Sequence, residues 1–312
     1  GDMNLAGFLL YVGIVSGFGG WMNSLTGAMG GILRNNRYMD RYRDFLEFAE
    51  KRFGGSQAVT NPGKPHEIRL EHVSFRYEGA GEDAVHDLTL TVRPGEKLAL
   101  VGMNGAGKST LLLHTDGLLL PSSGRVDVGG ITVTRKTLPI VRQTVGLVFQ
   151  DADNQLFMPT VGEDVAFGPA NMGLTPEEID ERVTRALRAV GAEALRDSAP
   201  CRLSGGQKKS VAIATVLAME PSILVMDEPT SNLDPRARRL IIDLLSRFDH
   251  TMLIATHDID MIPELCPRTI VMHEGRIAAD GDTERIFADL PLIEACGLEQ
   301  PCRMKYARTE AE

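Results

Sequence analysis

Positive charge is in deficit in this 312-residue chain: 33 Lys and Arg face 42 Asp and Glu, a formal net charge of −9. Binders of duplex DNA and RNA carry a basic footprint, so this balance argues against a nucleic-acid partner. Cysteine is scarce. Cys201, Cys266, Cys296 and Cys302 form no CxxC pair and no paired-cluster spacing, which points away from a disulfide framework and toward reduced thiols in a cytosolic protein. Cys296 and Cys302 lie close together but without a His-rich set, so core or surface thiols are favoured over a metal site. No internal repeat or low-complexity tract is present. Charge is missing altogether from Met3 to Leu33, a run that opens LAGFLLYVGIVSGF and continues rich in Gly, Ser and Thr. An uncharged run of this length is a transmembrane candidate. With no basic region before it and no clear small-residue cleavage site after it, the run does not make a convincing signal peptide.

What is there begins with periodicity. From Met22, the apolar residues Leu25, Met29, Ile32, Met39 and Leu46 recur at three- and four-residue steps, the pattern of a long amphipathic helix. Its later part, RNNRYMDRYRDFLEFAEKR, is charged and aromatic, as in a helix leaving a membrane for the cytosol. A soluble helical hairpin packed on the next domain is the alternative reading of residues 1–53. The chain begins without an initiator Met inside this apolar zone, which reads as a fragment whose preceding residues are missing. Residues 54–65 are linker-like in Gly, Pro and polar content. Residues 66–290 form the expected main domain and 291–312 a tail. In the main domain IRLEHVSFRY, LTLTV, KLALV, RVDV, ITV, VGLVFQ, ILVMDE and TMLIATH read as strands. A largely helical stretch spans 160–218, a helix 235–247, and a TIVMHEG/RIAADG hairpin follows. Strands alternating with helices give an α/β class with a mostly parallel sheet.

The segment GMNGAGKST, residues 102–110, follows the apolar strand Lys97–Val101 and opens an apolar helix at Thr110. Gly102, four residues, then Gly107-Lys108-Ser109 fits the phosphate-binding P-loop in the context that makes it credible. Glycines let successive N–H groups curl around phosphate oxygens, and the helix N-terminus adds a favourable dipole. Lys108 supplies a cation for the β- and γ-phosphates, and Ser109 a hydroxyl for Mg²⁺. A second apolar strand ends in Asp227-Glu228. An acid at such a strand tip beside a P-loop holds the Mg²⁺ that bridges the phosphates, so Asp227 takes that role and Glu228 orients and deprotonates the attacking water.

The most discriminating motif is Leu203-Ser204-Gly205-Gly206-Gln207, just before the apolar helix SVAIATVLAM. Ser204 is a good N-cap, and the paired glycines expose N–H groups at the helix start. The chain therefore has two phosphate-binding surfaces. One γ-phosphate is not easily held by both surfaces of one domain, so the economical arrangement is a head-to-tail dimer with ATP between the P-loop of one copy and the LSGGQ of the other.

From about His66 to Pro301 these motifs, in identity and order, resemble the ATP-binding cassette (ABC) family. The resemblance implies a P-loop NTPase fold of the ABC type, with an antiparallel β subdomain and a helical subdomain beside the parallel core. It implies ATP and Mg²⁺ as ligands, ATPase activity coupled to transport, and as partners a second ABC ATPase domain and a transmembrane subunit. It further implies that Tyr77 stacks on adenine, and that Asn104, Gly105 and Thr110 belong to the P-loop grip. Gln150 corresponds to the glutamine that touches Mg²⁺ and the attacking water, Asp234 to the loop aspartate that communicates across the dimer, and His257 to the switch histidine at the γ-phosphate. The other histidines have no such context. QDADNQLFMPTVGEDVAFGPANMGL (150–174) and LSGGQKKSVAIATVLAMEP are similar to the ATPases of cobalt, nickel and energy-coupling-factor importers, which implies metal-ion or vitamin uptake at the cytoplasmic face of a membrane. Ser210 departs from that group, which usually has a basic residue there. Residues 3–50 instead look like the last membrane helix of an ABC exporter, so import and export both stay open. Non-transport ABC ATPases typically carry long coiled-coil insertions or tandem cassettes, and this chain shows neither. A P-loop kinase is contradicted by LSGGQ and by the Asp-Glu pair.

Overall fold

The computed structural model describes residues 66–309. The apolar and amphipathic segment of 1–53 and the linker at 54–65 lie outside the described residues. Two sheets organise the rest. β1 (Ile68–Phe75), β2 (Val85–Val92), β4 (Ser123–Val128) and β5 (Ile131–Thr132) form an antiparallel sheet in the order β2-β1-β4-β5. The larger sheet takes β3 (Lys97–Val101), β6 (Val145–Val148), β7 (Ile223–Asp227), β8 (Thr251–Ala255), β9 (Arg268–His273) and β10 (Arg276–Asp282), in the order β10-β9-β3-β8-β7-β6. From β9 to β6 every neighbour is parallel, and β10 adds an antiparallel edge.

Side chains on a strand alternate between faces, and here each central strand divides between two cores. Leu98 and Leu100 of β3, Ile223 and Val225 of β7, and Leu253 and Ala255 of β8 pack with Ile68 and Leu70 of the small sheet. Leu111 and Leu112 of α1 (Lys108–Thr115) complete that core. The intervening Ala99, Val101, Leu224, Met226, Met252 and Ile254 face a second core. α3 (Val161–Asn171), α4 (Pro176–Ala189), α5 (Gly205–Leu217) and α6 (Pro235–Ser246) cover it through Val165, Leu187, Val211, Ile213, Ile241 and Leu245. Each such Leu, Ile or Val contributes about 1.5–3 kcal/mol on burial. A strand with both faces covered reads as a continuous apolar run, which is why KLALV and ILVM show no polar alternation. α2 (Leu138–Thr144) precedes β6, and α7 (Ile262–Leu265) precedes β9.

The chain end joins the same core. Ile293 of α9 (Leu290–Ala295) and Cys296 are buried in one cluster with Phe287 of α8 (Thr283–Ala288). The buried Gln300 amide donates to the Phe287 carbonyl at 2.8 Å, just before α10 (Cys302–Thr309). All four cysteines are free thiols, Cys266 and Cys296 buried, Cys201 and Cys302 exposed.

Boundaries differ from expectation where chemistry-bearing residues lie. α1 starts at Lys108 rather than Thr110, because Gly107 at φ +93° turns the backbone straight from loop to helix. The strands expected to reach Tyr77, Gln150, Glu228 and His257 end at Phe75, Val148, Asp227 and Ala255. These side chains sit past the last ladder pair, on backbone free to turn toward a ligand.

Candidate functional site

Four adjacent parallel strands deliver the site. At their carboxyl ends, side by side in the order β3, β8, β7, β6, follow the P-loop, His257, Asp227-Glu228 and Gln150. The register brings these ends level, with Leu100 opposite Ala255, Ala255 opposite Asp227, and Met226 opposite Val148. Ligands of open α/β sheets bind at such carboxyl ends.

The P-loop is shaped by close approach. A Cβ on Gly102 would stand 2.3 Å from the Met272 carbonyl oxygen, and one on Gly107 2.5 Å from that of Ala84. Neither position admits a side chain. Asn104 and Gly105 are exposed at the loop tip, so the cradle opens to solvent. The buried Lys108 ammonium donates to the carbonyls of Gly102 (2.7 Å) and Met103 (3.1 Å), which holds it across the loop. Burial lowers its pKa, opposed by Glu228 and Asp227. Tyr77 is 44% exposed, meets Phe75 edge-on at 4.9 Å, and shares a 3.0 Å hydrogen bond between its hydroxyl and that of Thr110. An exposed aromatic face thus stands tethered to the first turn of the P-loop helix.

Asp227 is half-buried. Burial pushes its carboxyl up, while a hydrogen bond from the Ser109 hydroxyl works the other way. This carboxylate–hydroxyl pair is a hard-oxygen donor set of the kind that holds Mg²⁺ together with substrate phosphates, so the residues fit the ion. Glu228 has φ +50°, the left-handed region, which costs about 1–3 kcal/mol for a residue with a Cβ. Its N–H donates to the Ala255 carbonyl at 2.8 Å. Its Oε2 accepts from the Thr256 hydroxyl and the His257 N–H, both at 3.2 Å, and meets His257 Nδ1 at 2.8 Å. The Glu228 side chain is 7% exposed and that of His257 64%, so the imidazole carries the buried carboxylate's reach outward. Beyond His257, Asp258 is gripped by Arg238 Nε and Nη2 (2.7 and 2.9 Å) and by the Thr230 hydroxyl (2.9 Å). Burial pushes the Asp258 carboxyl up, but these bonds outweigh it and hold it below the usual range.

The Ser204 motif lies elsewhere. Ser204 and Gln207 form a capping box at the start of α5: the Gln207 N–H donates to Ser204 Oγ (3.3 Å), and the Ser204 N–H to Gln207 Oε1 (2.9 Å). The Gln207 side chain is therefore engaged with its own helix. The atoms nearest Gly205 and Gly206 belong to Asn232, Leu233, Asp234 and Ala237, not to the P-loop. Asp234 caps α6 by accepting from the Arg236 and Ala237 N–H groups at 2.9 Å.

Three partners have no signal in the sequence. Thr256, Arg238 and Lys209 join the site only through the fold. Lys209 is 3% exposed and donates to the Phe149 (3.1 Å) and Gln150 (2.8 Å) carbonyls. Burial brings its ammonium down to about 8, against the raising effect of Asp227, Glu228 and Asp151. A Lys-Lys pair in sequence reads as a solvated face, and only tertiary packing turns one of the two inward.

Residues 85–231 match the family model described as ABC transporter. A putative ABC transporter ATP-binding protein of Geobacter sulfurreducens is 57% identical over 225 residues, 72% of this chain and 90% of that protein. The chain belongs to the ABC transporter ATP-binding family. It is an ATPase and the ATP-binding subunit of a transporter. The energy-coupling factor transporter ATP-binding protein EcfA of Methanocaldococcus jannaschii is 45% identical over 75% of this chain and 85% of its own. Among solved structures, cbiO1 from Clostridium perfringens, part of the ABC transporter complex cbiONQ, is 41% identical with a TM-score of 0.65, covering 74% of this chain and 94% of that one. The dimeric cassette MJ0796, bound to ADP and Pi in a post-hydrolysis state, is 28% identical with a TM-score of 0.64, covering 69% and 98%. Among the described residues of this ABC subunit no helix is long and apolar enough to cross a membrane.

Proposed function

We propose that this ABC ATPase energises the uptake of a metal ion or vitamin, working as a head-to-tail dimer beneath a membrane subunit at the cytoplasmic face. The observation that carries the catalytic part is the row of parallel strand ends that brings Lys108, His257, Glu228 and Gln150 to one edge, while Ser204 and its glycines border residues 232–237. The importer reading is supported by the likeness to cbiO1 and EcfA.

In this reading Gly102–Thr110 grips the phosphates of ATP and Tyr77 stacks on adenine. Ser109, Asp227 and Gln150 would hold Mg²⁺, which would supply neutralisation of the phosphate charge. Glu228 accepts the proton of the attacking water. His257, oriented through Nδ1 by Glu228, turns its other nitrogen to the γ-phosphate. The partner copy's signature motif closes the site, and Asp234 passes its engagement along the interface. Catalysis is then mostly positioning, with the strained Glu228 backbone fixing the base where water must stand.

Replacing Glu228 by Gln tests the assignment. The E228Q protein should bind ATP normally and elute as an ATP-dependent dimer, with hydrolysis reduced about 10²–10⁴-fold. Near-normal turnover in that variant contradicts Glu228 as the base.

A further inference from the structure

Lys209 is a buried cation for which the mechanism above has no use. It is one of two charged side chains in α5. The other, Lys208, points outward to Asp153 at 2.6 Å. The neighbours of Lys209 along the helix, Ser210, Val211, Ala212 and Ile213, are buried and bring no charge. Burying an ammonium is costly, and an unbranched apolar side chain of similar length would fill the space without that cost. The charges of Asp227, Glu228 and Asp151 offset part of that cost, and the directed bonds of the ammonium show what it positions. It holds two consecutive carbonyls, Phe149 and Gln150, one and two residues past the end of β6. A second mooring joins the same two elements. The Gln155 amide donates to the Ala212 carbonyl and the Thr215 hydroxyl, both at 2.8 Å, and its Oε1 accepts from the Phe149 N–H at 3.2 Å. With the Lys208–Asp153 pair, residues 149–155 are tied to α5 at three points along its length.

We propose that Lys209 is a positioning residue that locks the Gln150 loop to the helix headed by Ser204, so that engagement of Ser204 with a partner's ATP sets the place of Gln150 at this chain's own ATP. The proposal rests on the assignment of Gln150 to the hydrolytic site. It makes α5 and residues 149–155 one rigid body linking the two composite sites of a dimer. The hydrogen bonds of Lys209 run to the loop carbonyls, so its part in the reaction is to place Gln150.

The test is a double-mutant cycle on the full chain, with MgATP turnover, KM and melting temperature read for each variant. Lys209→Met should melt no lower than the parent and keep KM within about threefold, yet lose about 10- to 100-fold in kcat through misplacement of Gln150. Lys209→Arg, which keeps the donors, should recover most of the rate. Gln150→Ala should lose kcat by itself, and adding Lys209→Met to it should cost nothing further. Should the methionine variant not fold, Lys209→Gln takes its place in the same cycle. Losses that multiply in the double variant, or a Lys209→Met protein with full kcat, overturn the proposal. Full turnover in Gln150→Ala overturns the Gln150 assignment itself, and the Lys209 proposal with it.

Discussion

Glu228 shows how a single residue joins strain to chemistry. Its positive φ is held by a backbone bond to Ala255, and its carboxylate by the Thr256 hydroxyl and the His257 N–H, so three contacts fix one acid. Asp116, by contrast, is a buried acid away from the strand ends that carry the site. Burial pushes its carboxyl up to about 6, while the Leu118 N–H (3.0 Å) and Arg142 oppose the shift. The folded protein thus keeps this proton to a higher pH than the unfolded chain. Its contribution to stability is full below about pH 4 and is lost as the pH rises to about 6, a change of about 3 kcal/mol at most. Asp116→Asn keeps an acceptor for Leu118 and removes the charge. It should raise the melting temperature at pH 7.5, with the gain shrinking by about half toward pH 5; an equal gain at both pH values rejects the account. At this scale the sequence marks Lys108, Asp227, Glu228 and His257 by motif spacing. It is silent on Asp116, Lys209 and Thr256, whose environments arise from packing between distant segments.

Capping explains how the helices present their functional ends. Asp234 lends its Oδ1 to two N–H groups of α6, and Ser204 with Gln207 closes the first turn of α5. Each cap holds an exposed loop, so in the proposed dimer stability and interface geometry would share the same side chains. Asp234→Ala should cost about 1 kcal/mol in urea unfolding, and Asp234→Asn only a few tenths. Equal losses in both variants, or none in either, reject the capping role. Ser204 as an N-cap is legible because the hydroxyl precedes an apolar helical run. The strand ends are not, since VGLVFQ and TMLIATH run two residues past the ladder with no Gly or Pro to mark the break. β2 begins at Val85, earlier than LTLTV suggests, because Asp87 at φ +44° and a register shift hide the alternation.

For the whole molecule the decisive feature is that the P-loop and the Ser204 motif, the two surfaces proposed to grip phosphate, lie apart on one chain. The alternation of strands and helices makes a parallel α/β sheet predictable. The order β3-β8-β7-β6, which sets His257 between the P-loop and Asp227, is not, because long helical crossovers erase strand adjacency from the sequence. The central claim is that each ATP site is shared by two copies. Lys108→Ala and Ser204→Arg should each abolish ATPase activity alone, since each damages both sites of a symmetric dimer. Mixed after unfolding-free subunit exchange, they should recover about a quarter of the parental rate, because about half of the C2 pairs are hybrids and each hybrid holds one intact site of two. A mixture as inactive as its components would contradict the shared site.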